Sequence, residues 1–249
     1  MRGWGVEGAM EMLNIAARTL GQMRMPEFCP RCFWIQLRSG GKLPYQTPFP
    51  GIFHSIDKYG KDIIHDYFDR KQKLPEWYPD IGNVKSYLSS QKLHWTKFRY
   101  EDAETGIVLQ GTPDDIFRMA DGKHHIVDYK TAKATKKQDE LFPLYEVQLN
   151  VYAFIGNLKG EFPTTALSLI YVEPMTDIPS TEFDGVMDDA GFALNFMATR
   201  KKVELKGEEF VAGLMRRARE IYERSRPPAG RDGCEDCEKL ERVAGLTRG

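Results

Sequence analysis

The pair Asp121-Gly122 constrains this chain more than any other segment. Asp-Gly readily supplies the positive φ angles of a two-residue hairpin turn, and the residues on either side read as strands. Gly106 to Met119 carries Val108, Leu109 and Ile116 as apolar anchors, and His125 to Lys130 follows the turn with Ile126 and Val127. The expectation is an antiparallel meander. It sets Asp114, in Gly111-Thr112-Pro113-Asp114, and Asp128, in Asp128-Tyr129-Lys130, on neighbouring strands. Side chains alternate along a strand, so Lys130 shares the face of Asp128, while Asp115 points away from the face of Asp114.

Helices are expected around these strands. Residues 30 to 38 read as a short helix opened by Pro30, a favoured first-turn residue. A loop rich in Gly and Pro runs from Ser39 to Gly51. Ile52 to Arg70 reads as a longer helix, with Phe53, Ile56, Gly60, Ile63, Ile64 and Tyr67 as its apolar stripe. Val84 to Ser90 reads as another short helix, and the segment around Ala9 to Leu20 as an amphipathic helix docked on the core. Leu141 to Leu158 reads as a helix with Gln148 and Tyr152 one turn apart on one face. Ala166 to Val172 is an apolar run suited to a central strand, Phe192 to Leu205 supplies a further strand, and Glu208 to Arg224 the last long helix. The fold class is therefore α/β (α+β), a central mixed sheet flanked by helices. The expected organisation is a helical N-terminal region over 1–93, a core over 94–226 and a C-terminal segment over 227–249.

Two carboxylates and a lysine at the ends of adjacent strands suit metal-assisted phosphodiester cleavage. Oxygen donors on Asp114 and Asp128 fit a hard divalent cation, Mg2+ or Mn2+. The Lys130 ammonium can orient water or stabilise charge on a phosphate. A plainer reading pairs Lys130 with either aspartate as a structural ion pair. The net charge of −1 excludes a global basic field, so any DNA-binding surface is local, with Lys133, Lys136 and Lys137 one candidate patch. A second basic cluster, Arg216-Arg217 through Arg219 with Arg224 and Arg226, reads as solvated surface. No apolar stretch is long enough for a bilayer, and Glu7, Glu11 and Arg18 spoil a secretory signal, so the cytoplasm is expected and no membrane.

The four cysteines form two Cys-x-x-Cys pairs, Cys29 with Cys32 and Cys234 with Cys237. In a reducing compartment this pattern points to a metal site that staples the two ends of the chain. Four thiolates suit both an iron–sulfur cluster and tetrahedral Zn2+.

The ordered set Gly111-x-x-Asp114, Asp128-x-Lys130 and Gln148-x-x-x-Tyr152 resembles the PD-(D/E)XK nuclease superfamily, in its RecB-like branch. That branch includes recombination helicase–nucleases and the CRISPR-associated exonuclease that carries an iron–sulfur cluster. The resemblance implies a restriction-endonuclease-like core and a metal-dependent DNA exonuclease acting on single strands or ends. It implies a role in repair, recombination or CRISPR adaptation, with protein partners in such a complex. It assigns Gln148 to positioning the lysine or a phosphate and Tyr152 to DNA, although Tyr152 taken alone reads as core. It adds the Tyr129 carbonyl to the metal ligands, and an upstream histidine, His54 in Gly51-Ile52-Phe53-His54, with His65 as rival. For the cysteines it implies a 4Fe-4S cluster. The relatives divide their cysteines one and three, however, whereas the two-and-two division here resembles a zinc knuckle. Trp95, Phe98, Tyr129 and Tyr145 are candidates for stacking on bases. A non-catalytic binding module of the same fold and a duplex-specific endonuclease are the alternative functions.

Overall fold

The computed structural model describes residues 11–41, 50–132, 140–177 and 187–246. Its elements in chain order are β1 (Leu13–Ala16), α1 (Ala17–Gly21), α2 (Pro30–Arg38), α3 (Gly51–Lys71), β2 (Val84–Ser89), β3 (Arg99–Asp102), β4 (Ile107–Gln110), β5 (Asp115–Met119) and β6 (His124–Lys130). They continue with α4 (Phe142–Leu158), β7 (Thr164–Pro174), β8 (Met187–Asp188), β9 (Gly191–Phe192), β10 (Phe196–Val203), α5 (Glu208–Tyr222) and α6 (Glu235–Leu246).

Five strands form the main sheet in the order β10-β7-β6-β5-β2. β5 and β6 are antiparallel and joined through Gly122, whose φ of 80° is the left-handed conformation the turn needs. β6 and β7 are parallel, so the chain must cross between them, and α4 makes that crossing. A second sheet, in the order β1-β4-β3, packs beside the first through the shared core.

The alternation of β6 divides the interior. Ile126 joins Leu167 and Leu169 against Val147, Leu149 and Ile155 of α4. Val127 and Tyr129 join Phe117 and Ile170 against Ile64 and Phe68 of α3. Because α4 fills the space between the sheet, α1 and α5, it is buried nearly all round and shows little amphipathic contrast.

Three expectations need correction. Residues 84 to 89 form a strand, not a helix. A register shift between Val84 and Ser86 interrupts the period-two alternation that marks a strand. The N-terminal amphipathic segment is β1 followed by the one-turn α1, with Leu13 and Ile15 alternating inward. The stretch 106–119 is not one strand of a continuous meander. It breaks at Gly111-Thr112-Pro113-Asp114, where Pro113 has no N–H to give a ladder, and β4 and β5 enter different sheets.

Candidate active site

In the β5–β6 ladder Asp115 stands opposite Val127. One further step sets Asp114 opposite Asp128, and directly opposed residues of an antiparallel pair share a face. Asp114 sits just before β5, and its Oδ2 accepts a hydrogen bond of 2.8 Å from the Tyr129 backbone N–H. This bond brings the first carboxylate to the strand that carries the second.

Asp128 is 3% exposed. Its Oδ1 accepts a hydrogen bond of 3.2 Å from Gln148 Nε2, and its Oδ2 lies 2.5 Å from Lys130 Nζ, off the line of a hydrogen bond. The same Gln148 amide donates to the Tyr152 hydroxyl at 2.8 Å. Burial pushes the Asp128 carboxyl up to about 6, and the neighbouring Asp114 adds to the rise while Lys130 opposes it. Lys130 Nζ also lies 4.2 Å from the centre of the Tyr145 ring.

Glycine at 111 has a steric reason. A Cβ there would lie 2.5 Å from Cε1 of Tyr152. Gly111, Tyr152, Gln148, Asp128 and Lys130 therefore form one chain of contacts, and the motif residues distant in sequence are neighbours here. Asp115 faces the other way, as alternation predicts. It is fully buried, and both of its oxygens lie 2.9 Å from His65 Nε2. The Tyr129 hydroxyl donates to it at 2.8 Å and stands 3.1 Å from the Tyr78 hydroxyl. His65 is stacked on Tyr87. This network supports β5 and β6 from the face covered by α3.

Sequence reasoning missed Lys61. Its Nζ contacts Asp114 Oδ1 and Asp57 Oδ2, each at 2.7 Å. Burial alone would lower the Lys61 pKa, but the two carboxylates raise it above its ordinary value. The apolar stripe assigned to α3 is rotated from the face that packs. Phe53 and Ile63 are exposed, whereas Asp57, Lys61, Ile64, His65 and Phe68 turn towards the sheet. His54 lies two helical turns before Lys61, so it was on the right face to signal Lys61. His54 itself is exposed and, among the described residues, contacts neither Asp114 nor Asp128.

A profile of the PD-(D/E)XK nuclease superfamily matches residues 67–241. The chain belongs to the PD-(D/E)XK nuclease superfamily. Members of the PD-(D/E)XK nuclease superfamily are typically metal-dependent nucleases, and membership implies a nucleic-acid substrate. A search of curated proteins returns no match. The donors near Asp128 fit the divalent cation that PD-(D/E)XK nucleases use. Two buried acceptor oxygens, Asp128 Oδ2 and Gln148 Oε1, lack a hydrogen-bond donor, and hard cations prefer such oxygens.

Other expectations for the nucleic-acid surface fare differently. Phe98, Tyr129 and Tyr145 are buried, so their rings are core and not stacking platforms. The Trp95 side chain and the patch of Lys133, Lys136 and Lys137 lie outside the described residues. In the later basic cluster Arg216 pairs with Glu209 and Arg219 with Glu223, and Arg217 lies over Phe28. No described helix is long and apolar enough to cross a membrane.

The four cysteines converge far from the aspartates in sequence. Cys29 Sγ lies 3.5 Å from Cys237 Sγ, and Cys32 Sγ lies 3.7 Å from Cys234 Sγ and 3.4 Å from Cys237 Sγ. All four sulfurs fall within 4.8 Å of one another, and none is in a disulfide. Burial raises the Cys29 thiol, but N–H donors of Cys32 and Arg231 outweigh it and bring the pKa down to about 6. Four thiols this close can hold a metal.

Proposed function

We propose that this protein is a RecB-like deoxyribonuclease that hydrolyses phosphodiester bonds with Mg2+ or Mn2+. The carrying observation is the convergence of Asp114 and Asp128 through the Tyr129 N–H, with the Lys130 ammonium beside Asp128. Asp114, Asp128 and the Tyr129 carbonyl are the proposed metal ligands. A divalent cation supplies a Lewis acid for the phosphate and makes water acidic enough to attack near neutral pH. Lys130 stabilises the charge that develops on the scissile phosphate. Gln148 orients the Asp128 carboxylate, and Tyr152, packed on Gly111, fixes Gln148. Lys61 holds the other oxygen of Asp114 from the α3 side. His54 is left out of this assignment because its side chain is exposed.

The preferred substrate is single-stranded DNA or DNA ends, and the setting is repair, recombination or CRISPR adaptation. Both rest on the resemblance of Gly111-x-x-Asp114 and Gln148-x-x-x-Tyr152 to the RecB-like pattern. The test compares linear and circular single-stranded DNA with Mg2+ or Mn2+, using wild type, Asp114→Ala and Lys130→Ala. Cleavage of linear DNA that both substitutions abolish is expected. Unchanged activity in both variants eliminates the site, equal cleavage of circles eliminates end dependence, and DNA binding without cleavage establishes a non-catalytic module.

A further inference from the structure

The cysteine cluster has a geometry that tells a single ion from a cube of iron and sulfide. Four thiolates around one zinc, each at about 2.3 Å, lie at the corners of a tetrahedron with edges of about 3.8 Å. A 4Fe-4S cube places four irons and four sulfides inside the thiolate shell and spreads the cysteine sulfurs to roughly 6 Å apart. Three of the separations here are 3.4, 3.5 and 3.7 Å, and no pair exceeds 4.8 Å. The cube does not fit between these sulfurs.

The backbone around them is also closed down. A Cβ on Gly230 would stand 3.1 Å from Cys237 Sγ, so the chain wraps the thiol at a distance only glycine accepts easily. The Arg231 N–H points at Cys29 Sγ from 3.3 Å. Moving the sulfurs apart to admit a cube disturbs both contacts. The two pairs are built alike. Cys29 is the N-cap of α2, and Cys234 immediately precedes α6. Phe33 N–H bonds the Cys29 carbonyl and Glu238 N–H bonds the Cys234 carbonyl, one opening turn each. Two helix starts thus meet, each presenting a pair of sulfurs, and their positive ends favour the net negative charge of a four-thiolate zinc centre. An ion pair of 2.6 Å between Arg31 and Glu241 closes the junction from outside.

We infer that Cys29, Cys32, Cys234 and Cys237 bind one tetrahedral zinc ion, a redox-silent staple, in place of the iron–sulfur cluster of the RecB-like relatives. This inference does not depend on the assignment of the catalytic aspartates. Its test starts from protein made in iron-replete cells and purified without oxygen. Zinc, iron and acid-labile sulfide are measured per chain. Metal-free protein is then offered Co2+, or ferrous iron with sulfide. The expected result is one zinc, no sulfide, and a cobalt derivative with the visible bands of a tetrahedral four-sulfur site. Cys32→Ser should shift those bands to a three-sulfur pattern. Four irons and four sulfides per chain overturn the inference. So does reconstitution of a cube that restores the melting temperature of the protein as isolated, and so do two disulfides in the isolated chain.

Discussion

Asp128→Asn should make the metal-free protein more stable while abolishing its response to divalent cations. The Asp128 carboxyl is raised from 3.8 to about 6 in the folded chain, chiefly by burial. A carboxyl whose folded pKa lies above its unfolded value favours folding at low pH, and that contribution disappears as the pH rises through about 6. At pH 8 the ionised, buried group therefore costs the native state about 3 kcal/mol. Asparagine is close to isosteric, cannot ionise and still accepts the Gln148 bond. It leaves Lys130 without its partner, but that ammonium is 18% exposed and keeps the Tyr145 ring 4.2 Å away. Allowing about 1 kcal/mol for this loss, the variant should gain about 2 kcal/mol in urea unfolding at pH 8 with a chelator present. Millimolar Mg2+ or Mn2+ should stabilise wild type and close the gap, because a ligand that binds only the native state adds to its stability. The variant should show no such response and no cleavage. A variant less stable than wild type without metal would refute the argument from burial. A wild type indifferent to both cations would refute the metal site.

Gly111→Ala should cost about 1–3 kcal/mol, because the new methyl meets the Tyr152 ring at 2.5 Å, and should slow cleavage by displacing Gln148. Adding Tyr152→Ala should recover part of that stability, and simple additivity in the double mutant counts against the contact. Gly21→Ala drives a Cβ to 2.5 Å from the Leu144 carbonyl, so it should loosen α1 from α4 and lower the melting temperature without changing metal affinity. His125 is buried, its Nε2 lies 2.9 Å from Ser168 Oγ, and its pKa is held down to about 4 by burial and by nearby Arg200. Its folded pKa is below the unfolded 6.5, so its contribution is present above pH 6.5 and is lost as the pH falls towards 4. Between pH 7.5 and pH 5 the stability of wild type relative to His125→Gln should fall by about 2 kcal/mol, as read by urea unfolding at the two values.

The parts legible in the sequence were those that local chemistry specifies. Pro30 marked the start of α2, Asp121-Gly122 fixed the β5–β6 turn, and alternation separated Asp114 from Asp115 and joined Asp128 to Lys130. Helix α4 was legible from its length and apolar content. What failed depended on context. The register shift in β2 erased its alternation, and Pro113 split one apparent strand between two sheets. The α3 stripe misled because that helix turns polar groups to the sheet, where Asp114 and Asp115 await Lys61 and His65. Periodicity reports an apolar face, and here Asp57, Lys61 and His65 turn to the sheet beside Ile64 and Phe68. Cysteine spacing announced a thiolate site, but only the sulfur separations bear on its occupant.

The junction of the two Cys-x-x-Cys pairs sets a timetable for biosynthesis. Cys29 leaves the ribosome before Cys237, which lies 208 positions later. Until then Cys29 and Cys32 supply only half of the thiols that the site needs. The site can close only once the segment that carries Cys234 and Cys237 has been made.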